Sequence, residues 1–385
     1  MYLGGRKMGK TVMMFGLGDL GGCVLEFLAR SEGVSRITAA DLREDSGTKL
    51  TTAAIGSAQQ GYCKTLEFHK CDVKDIDRTA ELINTVNPDL IYSTLTLSAW
   101  SQLAFLPHDL EEKTHRASLA RMPLQLVLIS KLMQAVKKSG TTAPVIQHAL
   151  PDIVNPVLWR NGLGPLVGAG NLDNGVAEYY RKISLAYNVP IREITICYVA
   201  SHTVGVLGSR VGVPFFLKIL VRDKDITSEI DVDSLICDRP LGAEVSDRYW
   251  RRWTKYPIVA SCAVKNIMAI LNDTNLYTHA PGPIGLPGGY PVRLSARGVE
   301  VVLPQEITLE EAIKINLDGL KYEGIKEIKE DGTLISTEEG YEINKEILGI
   351  GLRELRFADI DDASKELVSA YKKLADKYSA FVPIY

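Results

Sequence analysis

Thr11-Val12-Met13-Met14-Phe15-Gly16-Leu17-Gly18-Asp19-Leu20-Gly21 is the stretch from which the rest of the chain can be read. The run from Thr11 to Phe15 has the apolar make-up of a strand buried on both faces. It leads straight into glycines spaced G-x-G-x-x-G, after which Val24, Leu25, Phe27 and Leu28 recur at helical spacing. In such a strand-turn-helix unit Gly16 makes the turn, Gly18 lets the backbone approach a pyrophosphate, and Gly21 lets the helix pack on the strand. The phosphates would rest on the free amides of the first helical turn, which opens with Asp19 and Leu20. A second apolar strand, Ile37 to Ala40, ends at Asp41, about twenty residues past the last glycine, where an acidic side chain meets ribose hydroxyls. That carboxylate would repel a 2′-phosphate, so NAD is expected over NADP; Arg43 is the feature that keeps NADP open.

With 385 residues the chain exceeds the usual size of one core, and two domains are expected. The boundary falls around Leu150-Pro151-Asp152, giving an NAD-binding Rossmann domain over 1–150 and a substrate domain over 151–385. A net charge of −3 and the lack of a basic block with interleaved aromatics argue against a nucleic-acid partner. No apolar run reaches the roughly 18 residues of a membrane span, and Met1 to Lys10 lacks an apolar core, so a cytoplasmic protein with a small-molecule substrate and no membrane partner is expected. The six cysteines include no C-x-x-C pair, which fits reduced thiols and gives no metal site.

Further strands are expected at Leu66–His69, Leu90–Thr94, Val145–Ala149 and Leu166–Ala169, and helices near Asp75–Val86, Leu124–Val136 and Asp173–Tyr187. A strand at Ile194–Ser201 follows. Ligands of open α/β sheets bind beyond the carboxyl ends of the strands, which makes Ser93 and Thr94 cofactor candidates. Between Leu95 and Pro123 no clean period is visible; this stretch, with Trp100, His108, His115, Arg116 and Arg121, reads as a lid or as a solvated connector with part of a helix. The part from Arg210 to Trp250 shows no pattern. Beyond it a helix is expected over Thr254–Leu271, a turn-rich loop over Pro281–Pro291, a strand at Val299–Leu303 and an amphipathic helix over Ser364–Tyr378. The fold class is therefore α/β, with an N-terminal doubly wound parallel sheet followed by a C-terminal α+β region.

A Rossmann unit supplies a cofactor and no substrate chemistry, so catalytic groups are sought in the second half. His202 ends an apolar strand and opens the glycine-rich loop Thr203 to Gly208. Hydride transfer at a carbonyl requires a proton at the oxygen, and histidine suits that task near neutral pH. A carboxylate would fix its tautomer, and Asp173 is the candidate.

Here the sequence resembles the lactate/malate dehydrogenases. Gly168-Ala169-Gly170-Asn171-Leu172-Asp173, a helix, the strand Ile194 to Val199 and then His202 are similar to that family's segment carrying the aspartate and catalytic histidine. Thr254 to Ser261 resembles its substrate-side threonine on a long helix, and Gly285 to Val292, Gly298 to Leu303 and Leu309-Glu310-Glu311 resemble its closing sheet and final helix. The resemblance implies a homodimer or homotetramer. It also marks departures. Val176 stands where the family has the arginine that clamps a substrate carboxylate, and Leu150 stands at the family's boundary asparagine, with Asn155 as a less well spaced alternative. The mobile-loop arginine has two counterparts, Arg116 and Arg121, and Arg210 is a further cation. A substrate other than a plain 2-hydroxy or 2-oxo acid is expected. Short-chain reductases and epimerases are the alternative family, but their Tyr-x-x-x-Lys spacing is not met by Tyr179 or Tyr180 with Lys182. A dinucleotide-binding sensor that lost the reaction is the other alternative.

Overall fold

In the computed structural model, which describes residues 9–98, 106–208, 211–237 and 255–378, strand β1 (Lys10–Phe15) enters the glycine turn and the helix Asp19–Ala29 leaves it. Val12, Met13 and Met14 are wholly buried, as a strand covered on both faces requires. Around it lie β2 (Val34–Asp41), β3 (Thr65–Lys70), β4 (Leu90–Ser93), β5 (Val145–Gln147) and β6 (Val167–Gly168). The six strands are parallel, in the order β3-β2-β1-β4-β5-β6. Strand order reverses between β1 and β4, so the crevice of a doubly wound sheet opens there, at the carboxyl edge.

The second half is built from three antiparallel three-stranded sheets: β7 (Ile194–Val199), β8 (Phe216–Val221) and β9 (Lys224–Asp225); β10 (Leu276–Pro281), β11 (Gly289–Ser295) and β12 (Gly298–Val301); β13 (Ile325–Ile328), β14 (Leu334–Ser336) and β15 (Glu354–Leu355). Its helices close over the first half. Ala260, Ala263 and Ile267 of the helix Tyr256–Leu271 share one core with Val24, Leu25 and Leu28. Leu367 and Leu374 of the helix Ile360–Lys377 share another with Leu126, Ile129 and Leu132 of the helix Met122–Ser139.

Several expectations are corrected. The Rossmann sheet does not end at residue 150: its sixth strand is Val167–Gly168, and Ile153, Val154 and Val157 pack into the same core as Met13 and Ile91. Between β2 and β3 lies a helix not expected from the sequence, Thr48–Gln59, which buries only Leu50, Ala53 and Ser57 and so carries a weak apolar signal. The region from Leu95 to Pro123 contains the short helix His108–Thr114 and a 3-10 turn, Ser118–Arg121. The Arg210–Trp250 part contains β8, β9 and the helix Val232–Cys237. Strand β11 takes in Pro291, which needs no amide hydrogen there because pairing with β12 starts only at Val292. Trp100, Arg210, Trp250 and Thr254 lie outside the described residues. Among the described residues no helix is long and apolar enough to cross a membrane, and five cysteines are free thiols.

Candidate active site

At the glycine turn each residue has a visible task. Gly16 takes φ +93°, a left-handed value that a side chain would strain, and a Cβ on Gly21 would sit 2.1 Å from the Gly16 carbonyl oxygen. A Cβ on Gly18 would meet nothing within 4 Å, which leaves open space where a pyrophosphate would approach. Thr94 donates its hydroxyl to the Gly16 carbonyl at 3.0 Å and so braces the turn, while the buried Ser93 accepts from the Leu95 amide at 3.3 Å at the end of its own strand. Asp19 and Leu20 form the first turn of the helix, with the Asp19 side chain exposed. Asp41 reaches back across the sheet edge: Oδ2 accepts from the Leu17 amide at 2.6 Å and Oδ1 from the Arg43 amide at 2.8 Å. Ser46 also donates to Oδ1 at 3.3 Å, and of the about four lone-pair sites of an ionised carboxylate about one remains for a ribose hydroxyl. Arg43 is engaged by Asp45, at 3.1 Å through Nε. One residue was not anticipated: Lys49 donates to the Leu17 carbonyl and, at 2.9 Å, to that of Gly18, bringing a cation to the turn. The residues present thus fit a dinucleotide.

His202 lies on the same edge, beyond β5 and β6. The His148 amide donates to the Ser93 carbonyl at 3.0 Å, so the chain leaving β5 runs beside the end of β4. Leu150 then turns it in a left-handed conformation (φ 41°, ψ 58°) into the helix Pro151–Arg160. A leucine there carries about 1–2 kcal/mol of backbone strain, at the position where the resembling family has asparagine, which tolerates that conformation. The turn delivers Asp152, wholly buried, to the histidine: Oδ2 accepts from the His202 amide at 2.8 Å and lies 3.3 Å from Nδ1. Asn171, following β6, donates to Oδ1 at 2.6 Å.

Asp152 therefore holds the place expected of Asp173. Asp173 is taken by Lys265, whose ammonium reaches both carboxylate oxygens at 2.8 and 2.7 Å and also meets the Thr278 hydroxyl at 2.7 Å. The physical reason is reach: the helix Tyr256–Leu271 packs beside the helix that Asp173 opens and sets the Lys265 ammonium on that carboxylate, while the turn at Leu150 brings Asp152 to the histidine. Asn155, the other candidate for the boundary asparagine, braces the turn, accepting from Gln147 at 2.5 Å and donating to the Gly282 carbonyl at 2.9 Å.

On its other side His202 Nε2 lies 3.2 Å from Glu323, a residue no sequence signal had singled out. Glu323 is 2 % exposed and accepts from Thr203 at 2.9 Å and Ser118 at 3.2 Å. Burial by itself would depress the imidazole, but the Glu323 charge and hydrogen bonds to Asp152 and Glu323 outweigh it and push His202 up to about 10. Asp152, which burial would raise, is held below its ordinary value chiefly by His202. The two candidate arginines separate. Arg121 is buried at 4 % exposure and reduced to about 10 by burial, partly offset by Tyr371 and Glu323. Arg116 lies in a surface pair with Glu339 at 3.6 Å, its side chain 42 % exposed. His115 joins Arg121 and His202; burial and their positive charges lower it to about 4.

A surface cleft of about 420 Å³, lined by Asn87, Pro88, Asp89 and Pro144, opens at the amino ends of β4 and β5, the edge opposite the glycine turn. Ligands of such sheets bind at the other edge, so the polar cluster around His202 is the better candidate.

No family model matches the sequence, and no curated protein does. Solved structures do match. A lactate dehydrogenase from a Medee basin deep-sea metagenome library superposes with a TM-score of 0.59 at 15 % identity, over 82 % of this chain and 96 % of its own. The malate dehydrogenase of Cryptosporidium parvum gives 0.59 at 15 % identity, over 82 % and 98 %. The lactate dehydrogenase of that organism, solved with lactic acid and nicotinamide adenine dinucleotide, gives 0.57 at 18 % identity, over 82 % and 99 %. The chain has the fold of the lactate/malate dehydrogenase superfamily.

Proposed function

We propose that this protein is an NAD-dependent oxidoreductase that moves a hydride between the nicotinamide and a carbonyl or alcohol substrate. The observation that supports it most directly is the placement of His202, oriented by a buried carboxylate, beyond the same strand ends that carry the glycine turn and Asp41. Gly16, Gly18, Gly21 and the first helical turn would hold the pyrophosphate, Asp41 the ribose, and Lys49 would add a positive charge beside the phosphates. When bound, the cofactor supplies or accepts the hydride. His202, protonated at neutral pH, is set to give its proton to a carbonyl oxygen, and Asp152 keeps Nδ1 turned away from the substrate. Arg121 adds a second positive charge for polarising the carbonyl. The two-domain division, with the boundary redrawn after β6, a homo-oligomeric state and a cytoplasmic location belong to the same reading.

A non-catalytic dinucleotide sensor is the second reading, favoured by carboxylates standing at both nitrogens of His202. Nicotinamide absorbance, followed with a panel of aldehydes, ketones and alcohols, separates the two. Turnover that falls about 10²–10⁴-fold in His202→Ala, with NADH affinity held within about threefold, is the expected result. NADH binding without turnover of any compound class would point to the sensor.

A further inference from the structure

Glu323 is the group in the cluster that hydride chemistry does not require, and it faces His202 on the side opposite Asp152. Its carboxylate lies 3.2 Å from His202 Nε2. It is bonded to Ser118 and Thr203, and its own carbonyl accepts from the Ser118 amide at 2.8 Å, so the turn carrying Arg121 is docked on this one residue through both side chain and backbone. Among the described residues the enclosed charges of this cluster come to two of each sign. Asp152 and Glu323 bring two carboxylates, His202 and Arg121 bring two cations, and all four are less than a tenth exposed. Val176, buried at 2 %, adds no cation from the neighbouring helix, while Lys265 is committed to Asp173.

A substrate carboxylate entering this balanced cluster would leave one buried negative charge without a partner. We propose that Glu323 is a specificity-determining residue that occupies, from within the chain, the electrostatic place of a substrate carboxylate, so that the site accepts uncharged carbonyl compounds and their alcohols and rejects 2-oxo acids. This rests on the oxidoreductase reading for the reaction but not for the binding selectivity. Replacing the carboxylate by its neutral amide should free the positive charge of His202 and Arg121 for an incoming anion.

The test uses the full-length protein and a matched pair of probes, pyruvate and its neutral amide pyruvamide, with oxamate as an anion whose binding is read by calorimetry with NADH present. The native protein is expected to prefer pyruvamide over pyruvate by about a hundredfold or more in kcat/KM and to bind oxamate no tighter than about 10 mM; E323Q should bind oxamate at least about 100-fold more tightly. The double variant R121M/E323Q, which removes one charge of each sign, should lose that gain. Oxamate binding to the native protein below about 1 mM, equal use of the two probes, or a folded E323Q with no gain would each overturn the proposal. If neither protein oxidises NADH while E323Q still gains oxamate affinity, the assignment of Glu323 stands and the oxidoreductase reading falls. Should E323Q not fold, the native protein's probe preference and oxamate affinity decide.

Discussion

Asp152→Asn removes one negative charge from a wholly buried pair while keeping the side chain's shape, and its effect should depend on pH in a defined direction. In the folded protein His202 is pushed up to about 10, against an ordinary value of 6.5. A raised folded pKa contributes stability that is fully present below 6.5 and is lost as pH climbs through about 10. Between those limits the folded state holds one more proton than the unfolded state, so this group alone costs the native protein about 1.4 kcal/mol per pH unit, or up to about 5 kcal/mol across the window. Asparagine still offers an oxygen to Nδ1 and to the His202 amide but no charge, so the imidazole loses the part of its rise that Asp152 supplies and keeps the part that Glu323 supplies. Glu323, Arg121 and His115 are the other titratable groups close to it, and all three remain. The variant should therefore be less stable near pH 6.5, by at most the roughly 3–5 kcal/mol of breaking a buried pair, with the difference shrinking as pH rises toward 10. Cysteines and tyrosines that ionise in that range are common to both proteins and cancel in the comparison. Urea unfolding at pH 6.5, 7.5, 8.5 and 9.5, with the imidazole resonance of His202 followed by NMR, measures both parts. A stability difference that stays flat or grows with pH would refute the assignment of Asp152 as the partner of His202.

Lys265→Met should leave that histidine resonance unmoved while lowering stability by roughly 2–3 kcal/mol; this lies below the cost for a fully buried pair because the Lys265 side chain is 29 % exposed. A shift of the His202 titration in this variant would return Asp173 to the role expected from sequence. Asp41→Ala should weaken NAD far more than NADP in fluorescence titrations, and equal affinity of the native protein for both cofactors would remove the role given to Asp41. Gly21→Ala forces a methyl group to 2.1 Å from the Gly16 carbonyl, a backbone atom that cannot swing aside, so a loss of about 1–3 kcal/mol in thermal unfolding and of measurable NADH binding is expected.

What the sequence disclosed and what it hid divide along contact distance in the chain. The glycine turn and Asp41 are legible because strand, turn, helix and second strand are contiguous, and Gly16 and Gly21 each answer a local steric demand. The helix Asp173–Tyr187 is legible at both ends: an aspartate opens it and Asn188, at φ 49°, closes it in the left-handed conformation. The partners of the functional side chains are a different matter. Asp152 meets His202 across 50 residues, Lys265 meets Asp173 across 92, and Glu323 meets Thr203 across 120. No periodicity encodes such pairings. Asp152 gave one usable sign, as an acid in the first turn of a helix opened by Pro151, yet it stood at the expected domain boundary, and there it read as punctuation.

Glu323 shows why the resemblance also led the pairing astray. Matching Asp173 to the family's aspartate assumes that surrounding charges are unchanged, and here they are rearranged together. A lysine reaches the aspartate, a second aspartate reaches the histidine, a valine stands where the resemblance led one to expect a cation, and a glutamate brings a buried anion to the far side of the ring. Each change alone would leave a buried charge unpaired, at a cost of several kcal/mol. Made together they leave every one of those charges with a partner. A motif match sees residues one at a time, so it registers the missing arginine as a loss. The electrostatic sum over the described residues of the cluster comes instead to two charges of each sign, and on the proposal made for Glu323 that sum is the reason to search for a substrate among uncharged carbonyl compounds.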